Sequence, residues 1–228
     1  MMRRLARAII LIAVSLLVCE ATTSGALASD KTARKTQSAS RVYLLTGMLG
    51  IASGLDGLAA QIQQQAGLPA KTSAPGGWPT LASDAIAGYK SGRVRSIILV
   101  GYSAGGGAAI DMAQELNAAH VPVELLIVID GVGRGAVPPN VRKVTNYYVA
   151  GGISSAMTRP AGQRGTLQNI AVSGGAGHFT VIAAKQAELF RQVVQASRSG
   201  GPVQASAKPS SHPPSSASAA ANAPTRHE

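Results

Sequence analysis

Apolar residues in this chain gather into short unbroken runs, separated by stretches in which they recur every three or four positions. Val42-Tyr43-Leu44-Leu45, Ile97-Ile98-Leu99-Val100 and the run from Val123 to Ile129 do not alternate with polar residues. Strands covered on both faces of a parallel sheet have this signature. A weaker run spans Val141 to Ala150, and shorter strands are predicted at Leu68 to Ser73 and Asn169 to Ser173. Between the runs, Leu55, Leu58, Ala59, Ile62 and Ala66 mark one face of a helix that Gly67 and Pro69 end. Ser53 and Asp56, three apart, read as the capping box that starts it. Trp78, Leu81, Ala85, Ile86 and Tyr89 predict a second helix. Ala108, Ala109, Met112, Ala113 and Leu116 predict a third, with Asp111 and Glu115 on its solvated side. Helical spacing returns after Phe179, with Val181, Ile182, Leu189, Phe190 and Val193. Strands alternating with helices predict one α/β domain, a mostly parallel sheet flanked by helices. Ligands of such sheets sit at the carboxyl ends of the strands.

The two ends of the chain follow other rules. Arg3, Arg4 and Arg7 precede an apolar run from Ala8 to Val18, and Ala26-Leu27-Ala28 has the spacing of a leader cleavage site. Residues 1–28 therefore read as a secretory signal peptide, too short in its apolar part to span a bilayer comfortably. This predicts a periplasmic or secreted protein. A lipid anchor through Cys19 is the alternative, though Val18 stands where a small residue is expected. Residues 29–40 read as a polar linker, 41–197 as the folded domain, and 198–228 as a Ser/Ala/Pro-rich tail unable to bury a core.

Removing the leader discards Cys19, the one cysteine, so the domain is predicted to rely on its core without disulfides. The formal charge of +11 falls to +9, with 18 basic against 9 acidic residues. Those basic residues are scattered and few aromatics accompany them. A scattered cationic surface predicts weak association with anionic envelope surfaces, and argues against nucleic-acid binding, which needs a patch.

The candidate chemistry sits on three strand ends. Ile97 to Val100 runs straight into Gly101-Tyr102-Ser103-Ala104-Gly105, a Gly-x-Ser-x-Gly turn between strand and helix. Such a turn lifts the serine hydroxyl above the sheet, beside unpaired N–H groups of a helix N-terminus. A serine needs an imidazole to take its proton, and the imidazole needs a carboxylate to orient it. His212 and His227 fall in the tail and His120 at the opposite edge of the sheet, which leaves His178 in Gly174-Gly175-Ala176-Gly177-His178. After the Ser103 helix the carboxylates are Glu124, Asp130, Glu188 and Glu228, and only Asp130 ends a strand on the active edge. Asp130-Gly131 is also a common turn pair, so its catalytic and turn roles both stand at this point. The oxyanion donors are expected from the N–H of Ala104 and, from the loop after the first strand, of Met48. No metal or cofactor is called for. A dinucleotide-binding reading of Gly101 to Gly107 is disfavoured, because Ser103 stands where the second glycine is required and no acidic residue ends a strand about 20 residues on.

With these residues in order, the chain resembles the α/β-hydrolase superfamily, in its small exported thioesterase- and lipase-like branch. The resemblance covers Arg41 to Ser197 and rests on Gly101 to Gly105, on Leu126-Ile127-Val128-Ile129-Asp130 and on His178. It implies serine hydrolysis of a small-molecule ester or thioester through Ser103, Asp130 and His178. In that superfamily the acid more often follows the next strand, which here ends at Ala150-Gly151-Gly152 with no acid. Some lipases use the earlier position. A fold retained without catalysis, as an envelope or binding protein, is the alternative. The short connection from Asp130 to Ile153 leaves no room for a large cap domain. The polar stretch from Ile153 to Leu167, with Arg159 and Arg164, is expected to be a mobile surface rim.

Overall fold

The computed structural model of the chain describes residues 40–48, 54–133 and 135–199. The leader, the linker up to Ala39 and the tail from Gly200 lie outside them. Six strands form one parallel sheet: β1 (Ser40–Leu45), β2 (Ala70–Ser73), β3 (Ser96–Tyr102), β4 (Leu125–Ile129), β5 (Lys143–Val149) and β6 (Thr166–Val172). Their spatial order is β2-β1-β3-β4-β5-β6. The helices are α1 (Leu55–Ala66), α2 (Trp78–Lys90), α3 (Ala104–Ala118) and α4 (Val181–Ser199), with a 3₁₀ turn at Pro75–Gly77.

The unbroken apolar runs are explained by two cores, one on each face. Tyr43, Leu45, Ile97, Leu99, Leu126 and Val128 pack with α2 and α3. The residues between them, Val42, Leu44, Ile98, Val100, Leu125 and Ile127, pack with α1 and α4. Successive side chains of a strand point to opposite faces, so a strand covered twice must be apolar at every position. β6 lies at the sheet edge, exposed at Thr166, Gln168, Asn169 and Ala171 and half-buried at Leu167 and Ile170. It begins three residues earlier than its apolar pattern suggests, because Thr166 to Gln168 pair with Lys143 to Thr145 with Leu167 as the single apolar residue among them.

The start of α1 departs from expectation. Gly54, in the left-handed region at φ +80°, holds the N-cap position with no side-chain cap bond. Ser53, the expected cap residue, lies outside the described residues. A side chain at Gly54 would also press on Ile182 of α4.

Among the described residues no helix bridges β4 to β5 or β5 to β6. The register aligns the carboxyl ends: Leu45 opposite Gly101, Tyr102 opposite Ile129, Ile129 opposite Tyr147. The loops leaving β1, β3 and β4 consequently emerge side by side.

Polar anchors tie helices to this frame. Asp84 of α2 accepts from the Tyr43 hydroxyl (2.8 Å) and pairs with Arg41 (2.9 Å) and Lys71 (2.8 Å), clamping α2 to β1 and β2. On the other face Tyr147 donates to Glu188 (2.7 Å) and accepts from Gln192 (2.6 Å), fixing α4 on β5. Burial, reinforced by Glu188, pushes the Tyr147 hydroxyl well up from its ordinary value.

Partial burial pushes the Asp84 carboxyl up, but hydrogen bonds from Lys71, Tyr43 and Arg41 outweigh it and hold the group at about 2. A depressed folded-state pKa contributes stability that is present above the unfolded value and lost as pH falls through the folded one. Wild-type stability should therefore fall between about pH 4 and pH 2 by a component that Asp84→Asn lacks. At pH 7 the substitution should cost about 1–3 kcal/mol, because Tyr43 and two cations lose their acceptor. Urea melts at both pH values check this, and an unchanged acid slope in Asp84→Asn would exclude it.

Candidate active site

β3 ends in a turn that few residues tolerate. Ser103 lies at φ +53°, ψ −123°, outside the basins of an ordinary side chain. Holding it there costs on the order of 1–3 kcal/mol. Three backbone bonds hold it: its N–H donates to the Ile129 carbonyl (3.0 Å), and its own carbonyl accepts from Gly106 and Val132 (2.9 Å each). The glycines on either side serve close approach. A Cβ on Gly101 would stand 2.3 Å from the Gly105 carbonyl oxygen, and one on Gly105 would stand 2.1 Å from that of Leu45. Helix α3 thus starts directly against the ends of β1 and β3, with Ala104 as its first residue. Among the described residues the Ala104 N–H meets no backbone acceptor, as expected in a first helical turn.

The loop leaving β1 lies against the same turn. A Cβ on Gly47 would meet the Tyr102 ring at 3.1 Å and the Ser103 Cβ at 3.3 Å, so the loop residue before Met48 is next to the serine. The Met48 side chain points to solvent, 73% exposed. Residues 49–53 of this loop lie outside the described set.

Asp130, directly after β4, is fully buried and has φ +43°. Its N–H donates to the Tyr147 carbonyl (2.6 Å), which turns the chain there. Its carboxylate has three partners. Oδ2 faces His178 Nδ1 at 2.5 Å, while Oδ1 accepts from the Val149 N–H (3.2 Å) and from the Ser154 hydroxyl. Burial pushes this carboxyl up, yet the bonds from Ser154, His178 and Val149 outweigh it and leave it below its usual range. The site thus holds an ionised carboxylate against an imidazole.

His178 follows β6 in the glycine-rich loop and is held from the strand that ends at Ser103. The Tyr102 hydroxyl donates to the His178 carbonyl (2.9 Å), and the Tyr102 ring stacks on the imidazole with centroids 5.0 Å apart. The exposed Phe179 ring also meets the imidazole, in a T-shaped arrangement with centroids 5.2 Å apart. Burial, with the Asp130 charge adding to it, pushes the Tyr102 hydroxyl up, so it stays a donor.

Ser103, Asp130 and His178 thus converge at one edge, and Ala104 and the Met48 loop lie against the Ser103 turn. The remaining candidates are accounted for: His120 is exposed between α3 and β4, Glu124 pairs with Arg142 (2.8 Å), and Glu188 accepts from Tyr147. Ser154 and Tyr102 were not foreseen as site residues. Tyr102 was findable as the aromatic preceding the serine, whereas Ser154 is one serine in a polar stretch without periodicity. That stretch does not stand free, since Asn146 and Asn169 hydrogen-bond its backbone at Ser155 and Met157. A cleft of about 690 Å³ separates it from Gly106, Gly107 and Ile110 of α3. Ser154 and Gly131 line that cleft, and Ser103 and His178 do not. Among the described residues no three His, Cys, Asp or Glu side chains group as metal ligands.

A strained serine between β3 and α3, followed by Asp130 and His178 on later strand ends of an all-parallel sheet, decides the architecture. The fold is α/β-hydrolase-like. No family model matches the chain, and no curated protein matches it in sequence. Similar solved structures include a presumed hydrolase of the α/β superfamily from Xanthomonas campestris pv. campestris (16% identity, 70% of this chain and 98% of that one, TM-score 0.44). The type II thioesterase BorB from the borrelidin biosynthetic cluster is another (14% identity, 70% and 92%, TM-score 0.49). A third is the NocB thioesterase domain from the nocardicin cluster (12% identity, 69% and 94%, TM-score 0.42).

The glycine contacts set up a paired test. Gly105→Ala should destabilise the fold by at least about 3 kcal/mol, since backbone carbonyls cannot yield to the new methyl. Gly57→Ala, exposed on α1 with nothing within 4 Å of its Cβ, should stabilise it by about 0.5–1 kcal/mol. Thermal melts of the two variants should move in opposite directions.

Proposed function

We propose that this protein is an exported serine hydrolase acting on an ester or thioester. The observation that carries the reading is the buried Asp130 carboxylate on His178 Nδ1, with His178 stacked on the residue preceding the strained Ser103. In the proposed mechanism Ser103 Oγ attacks the substrate carbonyl carbon while His178 Nε2 takes its proton. Asp130 keeps the imidazole in the tautomer with its proton on Nδ1 and stabilises the cation that forms. The N–H groups of Ala104 and Met48 receive the developing oxyanion. Collapse expels the alcohol or thiol, which takes the proton from His178. Water deprotonated by His178 then releases the acyl group from Ser103.

The surroundings favour an apolar acyl group. The exposed large apolar side chains among the described residues are Met48, Val132, Ile153 and Phe179. Each lies within two residues of Gly47, Asp130, Ser154 or His178. Exposed apolar side chains cost solubility, and their concentration around one site fits contact with an apolar ligand. The secretory leader belongs to the same proposal and assigns the hydrolase to the periplasm or the exterior. There its cationic surface would associate weakly with anionic envelope polymers, with no role for nucleic acid.

A fluorophosphonate probe should label the protein, and Ser103→Ala should abolish both labelling and ester turnover. Asp130→Asn should lower kcat by on the order of 10³–10⁴-fold by favouring the wrong imidazole tautomer. Turnover unchanged in Ser103→Ala would remove the mechanism.

Phe179→Ser and Met48→Ser should raise KM for octanoyl esters by roughly three- to tenfold and leave acetyl esters unaffected. An equal effect on both chain lengths would separate these side chains from acyl recognition.

A further inference from the structure

Asp130 has an unusual second partner. Besides the Val149 N–H of the strand beside it, its Oδ1 accepts the hydroxyl of Ser154, which belongs to no strand or helix. Ser154 lies in the helix-free connection between β5 and β6, so something other than regular structure must place it. Two asparagines do so. Asn146 of β5 and Asn169 of β6 stand opposite each other in the sheet register. The Asn146 side-chain amide, almost fully buried, donates to the Ser155 carbonyl (2.9 Å) and to Asn169 Oδ1 (2.9 Å). Asn169 takes the Met157 N–H on its oxygen (2.8 Å) and donates to the Met157 carbonyl (2.9 Å), as a neighbouring strand would. The chain is thus pinned at the residue after Ser154 and again two residues further on. A buried amide is costly without partners, and here nearly all the bonding of this pair serves one short segment.

We propose that Ser154 is a positioning residue of the hydrolase, delivered by the Asn146–Asn169 clamp to hold the Asp130 carboxylate in the orientation that presents Oδ2 to His178. The inference rests on the Ser103–His178–Asp130 reading. A carboxylate bonded through Oδ2 alone can swing about its Cβ–Cγ bond. With Oδ1 held by Ser154 and Val149, the same rotation breaks two hydrogen bonds, so the imidazole keeps one orientation. Ser154 also lines the 690 Å³ cleft, which leaves room on that side for a further methyl group.

The test uses the full chain carrying Ser154→Ala, Ser154→Thr, Asn169→Ala and the Ser154→Ala/Asn169→Ala double substitution. Asn169 is exposed on the edge strand, so its replacement is expected to leave the fold intact. Ser154→Ala should lower kcat roughly 10- to 100-fold with KM for a short ester unchanged, the range of a hydrogen bond to a charged group. Ser154→Thr should restore the rate. Asn169→Ala should act in the same direction, and the double variant should be no worse than Ser154→Ala, because the clamp acts through the serine. A second readout needs no substrate: the low-field proton NMR signal of the His178 Nδ1–H, assigned by its loss in His178→Ala. It should broaden or shift in Ser154→Ala and return in Ser154→Thr. Wild-type kcat together with an unshifted proton signal in Ser154→Ala would overturn the positioning role, while the Ser103→Ala result would still stand or fall alone. Failure of threonine to rescue, or an additive loss in the double variant, would overturn it as well.

Discussion

The site depends on how closely helix α3 begins against the sheet. The Leu45 carbonyl lies where a Cβ of Gly105 would be, and the Gly105 carbonyl lies where a Cβ of Gly101 would be. With no side chain at either position, α3 starts at the sheet surface and Ser103 is forced into its strained conformation. The strain does not relax because the serine's N–H and carbonyl are tied to β4 and to the segments around Gly106 and Val132. Glycine continues the same contact further along α3, where Gly106 and Gly107 let the chain after Asp130 pass against the helix. The Ser103 turn and the Asp130 turn are therefore packed as one piece.

The two halves of the sheet are finished differently. Around β1 and β3 helices cover both faces, and burial of apolar side chains provides the order. Past β4, among the described residues, no helix links β4 to β5 or β5 to β6, and specific polar contacts take over. Asparagine amides, the Asp130 carboxylate and backbone turns hold the connections there. Such contacts are weaker per residue than a packed helix but more directional. They set the orientation of a carboxylate where a layer of apolar side chains would set only its depth.

Much of this was legible in the chain itself. Unbroken apolar runs identify β1, β3 and β4 because these strands are covered twice. The glycine spacing around Ser103 and the shortage of histidines and carboxylates at strand ends single out His178 and Asp130. The misses share a cause. β6 starts at Thr166, where Leu167 is one apolar residue between polar ones; as an edge strand it pairs through backbone groups and leaves little apolar pattern. Ser154 reaches Asp130 through asparagine-to-backbone bonds, which have no period to detect. The start of α1 at Gly54 reflects a backbone conformation and contact with Ile182, which a capping-box pattern does not encode.

Tyr102 places His178 and Ser103 in one mechanical unit. Its backbone is the last residue of β3, while its ring and hydroxyl hold the imidazole and main chain of His178. The histidine arrives on the short connection between β6 and α4, 75 residues after the serine, yet it is referenced to the strand that bears the serine. Errors accumulated along β4, β5 and β6, or thermal flexing of the outer sheet, therefore do not add up in the spacing between the two. The distal loop can vary in length and sequence around Gly174 and Gly175 while that spacing is set locally. It behaves as a tether, while Tyr102 and Asp130 together hold the histidine it carries.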